Sequence, residues 1–347
     1  MRISLSNSDR SFSAAADQSL LDAALDASLN LPHSCRGGNC GSCRARLVQG
    51  DVCYPHGRPL GLSDAEVAEG FILLCQARAQ SDVCIETFEI STPETAVIKR
   101  LPARIERALP LSHDVMGVFL RLPAAEMFSF EPGQHVDILL PGGRRRSFSI
   151  ASPPHDSRVL ELHVWRVPGG AFSEQLFSPG RSMALLNIEG PLGQFVYPPK
   201  VPAAPLLLIG GGTGLAPLLS ILRHVVENGI ERDIAMYWGV RSERDLYAQA
   251  RLEALAARGG RVRYIPVLSE PAAAWGGSRG LAHEAALRDI ADLTQHQIYA
   301  AGPPAMMEAV RREFGARGVG ADRLFLDSFD YAPDALTRQR TSAVTKS

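Results

Sequence analysis

Four cysteines carry the strongest chemical signal in the chain. Three stand in Cys35-Arg36-Gly37-Gly38-Asn39-Cys40-Gly41-Ser42-Cys43, and Cys75 follows after 31 intervening residues. A C-x4-C-x2-C run with a distant fourth thiol is the spacing that holds a 2Fe–2S cluster, because two bridged irons need four thiolates converging on one small volume. One loop supplies three of them only if it bends sharply, and Gly37, Gly38 and Gly41 permit such bends. The N–H groups that these glycines expose could hydrogen-bond the sulfurs and tune the potential. A zinc site, with ligands more often paired as C-x2-C, and a disulfide framework are the competing readings. The long-range fourth cysteine favours the cluster. Cys53 and Cys84 are left over and read as small buried or half-buried thiols without chemistry.

A second signal is Gly210-Gly211-Gly212-Thr213-Gly214-Leu215-Ala216-Pro217, which follows the apolar run Leu206-Leu207-Leu208-Ile209 and opens a helix. In that setting a glycine loop leaves room for a pyrophosphate, and the helix N–H groups face the anion. Pro217 stands where a third glycine of G-x-G-x-x-G would be, and proline is tolerated in a first helical turn. A third stretch, Arg146-Ser147-Phe148-Ser149, lies on a strand preceded by Gly133-Gln134-His135. Alone it is compatible with an ordinary β-strand.

The elements that must position these residues change texture along the chain. Residues 2–6 and 11–14 alternate around Asn7-Ser8-Asp9-Arg10 and predict a β-hairpin. Ser19 with Asp22 predicts a capped short helix with Leu20, Leu21, Ala24, Leu25 and Ala27 on its apolar face, ended by Pro32. Phe71–Leu74 would deliver Cys75, and Val83–Phe88 would close a small sheet. Residues 91–102, with Pro93 and Pro102, read as a linker. Short strands without intervening helices then follow at Ala103–Ala108, Val115–Leu122, His135–Leu140, Arg146–Ala151 and Leu160–Val167, which predicts an antiparallel barrel. From Ala204 the pattern is strand then helix: Leu206–Ile209 with Pro217–Asn228, Ile234–Trp238 with Leu246–Ala257, Val262–Val267, and Gln297–Ala301 with Pro304–Arg317. That predicts a doubly wound α/β domain with a parallel sheet. The polar tail 335–347 is expected to fray.

Composition narrows the function classes. With 347 residues the chain has room for two or three cores, and 46% hydrophobic residues with a net charge of −1 mark an ordinary soluble protein without the basic surplus of a nucleic-acid binder. No run approaches the roughly 18 apolar residues of a membrane span, and the opening Met1-Arg2-Ile3-Ser4 has no signal-peptide core. Thiolate ligands fit a reducing compartment, so a cytoplasmic location is expected. The only lysines are Lys99, Lys200 and Lys346, which argues against Schiff-base and P-loop chemistry. No acid–base dyad or nucleophile stands at a persuasive spacing.

The Cys spacing together with a strand–helix–loop order in about 90 residues resembles the β-grasp plant-type ferredoxin fold. The segments beyond it resemble the ferredoxin–NADP reductase superfamily, whose flavin motif is R-x-(Y/F)-S on a β-barrel and whose nucleotide loop is G-G-x-G-x-A-P. The resemblance implies that Arg146 pairs with a flavin diphosphate, for which its planar fork is suited. Phe148 would lie along the flavin ring, Ser149 would hydrogen-bond near N5, and Ser147 and His163 would be further flavin contacts. Val167-Pro168-Gly169-Gly170-Ala171-Phe172-Ser173 is similar to the second flavin segment and implies FAD rather than FMN, with Gly169, Gly170, Phe172 and Ser173 at the diphosphate. Gly211, Gly212, Thr213, Gly214 and Pro217 would hold the nicotinamide dinucleotide. Near its ribose Arg241 favours NADP and Glu243 favours NAD; near relatives imply NADH, with NADPH not excluded. Ala300-Ala301-Gly302-Pro303-Pro304-Ala305-Met306 resembles C-G-P-P-x-M, which would put Gly302, Pro303 and Met306 near the nicotinamide, with Ala301 in place of the usual cysteine. Phe329 stands near where relatives have an aromatic residue over the flavin, core packing being the alternative.

The three blocks together resemble the single-chain reductase components of Rieske-type dioxygenases and diiron monooxygenases, and also CDP-6-deoxy-glucoseen reductases. The implied domains are 1–91 ferredoxin, 92–102 linker, 103–202 FAD barrel, 203–334 nucleotide domain and 335–347 tail. The implied route runs from NADH to FAD to the cluster and on to an oxygenase component docking at the ferredoxin domain, or alternatively to a sugar-nucleotide dehydratase. A non-enzymatic iron–sulfur sensor is the reading from another class. Arg36, Arg44 and Arg46, in and beside the cluster loop, are either a solvated rim or a basic docking patch for an acidic partner. A monomer suits such a shuttle.

Overall fold

Three sheets follow one another along the chain, each built as its texture dictates. The computed structural model describes residues 1–33, 36, 38, 41–55, 57–59, 61–87, 97–170, 172–178, 185–197 and 204–329. The expected tail, and residues 92–96 of the expected linker, lie outside these.

The first module comprises β1 (Arg2–Leu5), β2 (Ser11–Ser13), α1 (Leu20–Asp26), β3 (Arg44–Gln49), β4 (Val52–Cys53), α2 (Asp64–Ala68), β5 (Phe71–Leu73), β6 (Arg78–Ala79) and β7 (Val83–Glu86). Its main sheet has the order β2-β1-β7-β3-β5, with β1 antiparallel to β2 and parallel to β7. The Ser19 hydroxyl accepts from the Asp22 N–H and starts α1, as expected. The helix ends well before Pro32: Ala27 caps it and Ser28 takes the left-handed φ of 59°.

The second module comprises β8 (Lys99–Pro110), β9 (Val115–Arg121), β10 (His135–Leu139), β11 (Arg145–Ser149), β12 (Val159–Trp165), α3 (Ser173–Phe177) and β13 (Leu185–Leu192). The order is β11-β10-β13-β8-β9-β12, and an antiparallel bridge between Ile150 and Leu162 links the two ends into a barrel. β8 begins at Lys99, inside the stretch read as linker. Pro102 is tolerated there because residues 99–103 pair only with β13, and β9 joins β8 from Arg104 onward.

The third module comprises β14 (Leu206–Gly211), α4 (Leu215–Glu227), β15 (Ile234–Val240), α5 (Gln249–Gly259), β16 (Val262–Leu268), β17 (Ser278–Arg279), α6 (Ala282–Asp289), β18 (Gln297–Gly302), α7 (Pro304–Ala316) and β19 (Leu324–Ser328). All neighbours in the order β17-β16-β15-β14-β18-β19 are parallel. The chain runs outward from β14 through β15 to β17, then returns to the other side of β14 with β18. The carboxyl ends of β14 and β18 therefore form the switch point at which doubly wound sheets bind ligands.

The modules share their cores. Leu192 of the barrel is fully buried in the apolar cluster of the first module, and Ile98 packs against the same cluster. Ala151, Phe195 and Tyr197 of the barrel belong to the core that includes α4 and α5. Leu192→Ala, although outside the ferredoxin segment, is expected to destabilise that module by about 2–5 kcal/mol. Urea unfolding followed by the cluster's visible absorbance measures it.

Candidate functional site

The nucleotide loop is built by packing. Leu206 to Ile209 are fully buried and fix β14, so the chain must turn at its exposed end. Gly212 turns it at φ 54°, and its carbonyl accepts from the Nε1–H of the fully buried Trp238 at 2.9 Å. A Cβ on Gly214 would overlap the Ala301 carbonyl, so that glycine allows β18 to lie against the start of α4. A Cβ on Gly211 would come within 2.7 Å of the Met306 sulfur. Ala301 itself is fully buried. Pro217 is buried in the first turn of α4 and starts the helix rather than facing a ligand.

These residues form one wall of a cleft of about 860 Å³. Gly211, Gly212 and Thr213 meet Gly302, Pro303 and Met306 there, and Arg241 with Arg244 lines its far end. Glu243 is absent from the lining; its carboxylate accepts from the Ala272 N–H at 3.2 Å.

The opposite wall comes from the barrel. Ser147, Phe148, Ser149 and His163 line the same cleft. Phe148 packs against the buried Phe172 with ring centres 5.4 Å apart. Ser149 donates to the Asp327 carboxylate at 3.5 Å. Phe329, whose N–H donates to the Gly302 carbonyl at 3.0 Å, stands on the cleft with it. The residues expected to act at the flavin ring thus meet those expected at the nicotinamide.

Several residues expected at the flavin diphosphate make contacts within their own segments. Arg146 donates to the Arg145 carbonyl at 2.7 Å and is not among the cleft residues. The Ser173 hydroxyl closes its own turn, accepting from Val167 N–H at 3.0 Å, and the Gly169 N–H donates to Glu174. Gly170 packs so closely on Ser173 that a Cβ would come within 2.5 Å of its hydroxyl.

His163 belongs to a buried network that the sequence did not reveal. Its ring nitrogens lie 3.1 Å from the Tyr247 hydroxyl and 3.2 Å from Glu161, which also accepts two hydrogen bonds from Arg251 at 2.6 and 2.9 Å. β12 is thereby tied to α5. Burial alone would push the Glu161 carboxyl up, but the His163 and Arg251 hydrogen bonds outweigh it and hold the group well below the usual carboxylate range. Burial and then Glu161 push the Tyr247 hydroxyl up.

In the first module, Cys43 and Cys75 are both buried. The β3–β5 register sets Arg44 beside Leu73, and the Leu74 N–H donates to the Cys43 carbonyl at 3.0 Å, bringing the two cysteines to neighbouring strand ends. The Tyr54 hydroxyl accepts from the Leu73 N–H at 3.2 Å; burial pushes it up against that hydrogen bond, helped by Cys43 and Cys75. Cys35 and Cys40 lie outside the described residues. The expected basic rim does not form. Arg36 turns inward to Asp137, Arg44 pairs with Glu66 at 2.5 Å, and of the three only Arg46 is exposed.

The residues present fit three redox groups. Neighbouring buried thiols suit an iron–sulfur centre, the open loop at Gly211, Gly212 and Thr213 suits a dinucleotide, and the aromatic wall at Phe148 suits a flavin. A barrel joined to a doubly wound sheet, with a cysteine-bearing β-grasp module, defines a multi-centre oxidoreductase. Residues 3–80 match the 2Fe–2S iron-sulfur cluster binding domain, 102–197 the oxidoreductase FAD-binding domain, and 208–312 the oxidoreductase NAD-binding domain. The chain is 33% identical to the CDP-6-deoxy-L-threo-D-glycero-4-hexulose-3-dehydrase reductase of Yersinia pestis, over 92% of this chain and 95% of that one. It is also 33% identical to reductase component 2 of the terephthalate 1,2-dioxygenase of a Comamonas species, over 96% and 98%. The crystal structure of an Amycolatopsis cytochrome P450 reductase superposes with a TM-score of 0.81 at 33% identity, covering 95% of this chain and 99% of that one. The chain belongs to the single-chain 2Fe–2S, FAD and NAD reductases of the ferredoxin–NADP reductase superfamily. The sensor reading falls with the FAD and NAD domains.

Two outcomes follow from this geometry. Gly214→Ala is expected to cost several-fold more stability than Gly212→Ala. A Cβ at 212 meets nothing within 4 Å and carries only its positive-φ strain of about 1 kcal/mol; thermal unfolding of both variants compares them. Glu161→Gln should cost about 2 kcal/mol near neutrality, below a fully enclosed pair because Arg251 is 37% exposed. The folded carboxyl lies below its unfolded value, so the difference from wild type is complete above about pH 4.5 and shrinks as pH falls further. Denaturant unfolding across pH 3–7 would reveal that window.

Proposed function

We propose that this chain is the reductase component of an oxygenase system, taking electrons from NADH and delivering them through FAD and the 2Fe–2S cluster to a partner docked at the ferredoxin module, in the cytoplasm. The observation that carries this is one cleft lined by both the flavin motif and the nucleotide loop, on a barrel whose next strand, β10, pairs through Asp137 with Arg36 of the first module. When bound, the flavin and the cluster convert a two-electron hydride into single electrons, and the protein supplies distance and orientation.

Each residue has a defined task in that reading. Gly211 to Gly214 and the amino end of α4 receive the dinucleotide phosphates, with Arg241 toward its ribose. Gly302, Pro303 and Met306 bound the nicotinamide. Phe148 and Phe329 give the flavin ring apolar faces and exclude water, while Ser149 offers its hydroxyl near N5, oriented by Asp327. Arg146 and the turn from Gly169 to Ser173 would serve the flavin diphosphate, and Cys35, Cys40, Cys43 and Cys75 would ligate the irons. Arg241 and Arg244, both on the cleft, leave NADPH as a competitor to be assayed beside NADH.

The resemblance to the Yersinia reductase supports a second acceptor, a sugar-nucleotide dehydrase, with the same donor chemistry. Anaerobic NADH should bleach the flavin and give an EPR signal from a reduced iron pair, and a Rieske or diiron oxygenase should then reoxidise it. A protein whose iron never accepts an electron from either nucleotide ends the proposal. Reoxidation by a dehydrase alone would assign the second acceptor. Ser149→Ala should slow flavin bleaching by about tenfold, the worth of one hydrogen bond, as read by stopped-flow absorbance.

A further inference from the structure

Two carboxylates on the outer face of the barrel, buried beneath the first module, are not balanced by the barrel alone. Asp137 on β10 stands opposite Glu189 on β13, and their side chains are 0% and 4% exposed. Like charges directly opposite on adjacent strands repel, and buried charges require partners. Arg145 and Arg100 of the barrel pair with Glu189, and Arg145 lies 3.7 Å from Asp137. The direct partner of Asp137 is Arg36, which comes from the cluster loop of the first module, is only 10% exposed, and also lies 3.9 Å from Glu189.

The pairing runs across the seam in both directions. Arg100 of the barrel reaches Asp26 of the first module at 2.9 Å, and Arg36 stands 3.9 Å from Asp22 of its own module. The carbonyl of Arg36 accepts from Gln76, the residue after Cys75, at 2.9 Å. Asp137 accepts a second hydrogen bond, from Ser147 of the flavin motif, at 2.6 Å. One side chain therefore sits between the strand that carries a flavin contact and the loop that carries the cluster cysteines.

We propose that Arg36 and Asp137 form a buried latch that seats the cluster loop on β10 and β13, making Arg36 a positioning residue for flavin-to-cluster electron transfer and not a contact for the external partner. The inference rests on the reductase reading above. The exchange it positions is one electron at a time. FAD and the cluster, when bound, would pass the electrons of a hydride singly, with the proton released to solvent, and Arg36 would hold the loop against β10 for that transfer. Losing the latch would change the separation and orientation of the two centres, while Asp137→Asn keeps the acceptor for Ser147 on the cleft.

The test uses the full-length holoprotein with Arg36→Gln, Asp137→Asn and both together; asparagine keeps an acceptor for Ser147. After anaerobic mixing with NADH, flavin bleaching should stay within about twofold of wild type, whereas cluster reduction should slow by about tenfold or more in each single variant. The double variant should be no slower than the slower single, because both remove the same contact. Hydrogen–deuterium exchange along β10 and β13 should rise in all three, independently of turnover. Cluster reduction at the wild-type rate in Asp137→Asn, or losses that multiply in the double variant, would overturn the latch. So would a defect confined to Arg36→Gln with low iron content, which would make Arg36 only a support for its own loop. Failure of wild type to bleach with NADH would instead defeat the reductase reading.

Discussion

Two negative charges buried between the barrel and the first module dictate much of how this protein is assembled. Asp137 and Glu189 cannot remain ionised in a low-dielectric interior without cations placed against them, and a single truncated partner leaves an uncompensated charge. Burial alone would raise the Asp137 carboxyl; Arg36, more than the other neighbours, holds it below its usual range. The pair therefore couples the folding of the barrel to the docking of its neighbour. The apolar side of the same seam, with Leu192 inserted into the ferredoxin core and the rings of His33 and His135 meeting edge-on at 5.4 Å, reinforces that coupling.

The second seam follows the same logic with different residues. Glu161, almost as buried, is balanced from the nucleotide domain by Arg251, and His163 relays the contact to Tyr247. Both faces of the barrel thus carry an acid whose cation belongs to another module. A chain that moves electrons among three centres needs fixed separations between them, and hydrogen-bonded charges supply direction as well as attraction. The cleft lies between the barrel and the nucleotide sheet because β14 is where the strand order reverses. Cys43 and Cys75 lie together in the first module because β3 and β5 pair where they end.

Much of this was legible in the sequence because it is local. The cysteine spacing, the glycine loop after an apolar strand, the hairpin at Asn7 to Arg10 and the alternation of strand and helix all announce themselves within a few residues. The missing pieces are non-local or disguised. β13 reads LLNIEGPL, and its buried Glu189 with a glycine and a proline hides a barrel strand behind loop-like residues. β8 begins earlier than read because Pro102 falls where only one side of the strand is paired. Arg36 reads as a surface cation until the partner acid, 101 residues away, is known. Ser173 and Gly169 have the types of a phosphate loop, and the hydrogen bonds that shape their turn, to Val167 and Glu174, are not visible in the pattern. The acids that matter most to assembly carry no motif.

The placement of Leu192 has a practical corollary for anyone treating such reductases as interchangeable cassettes. The N-terminal module ends, by chain order, before the barrel starts, so exchanging it for a homologous electron carrier looks like a cut in a linker. Yet a side chain from the last barrel strand completes its interior, and Ile98 covers its flank. A chimaera that respects only the sequence boundary would inherit a hole in the grafted piece and an acid without its counterion in the recipient. Successful grafts must carry both halves of the joint.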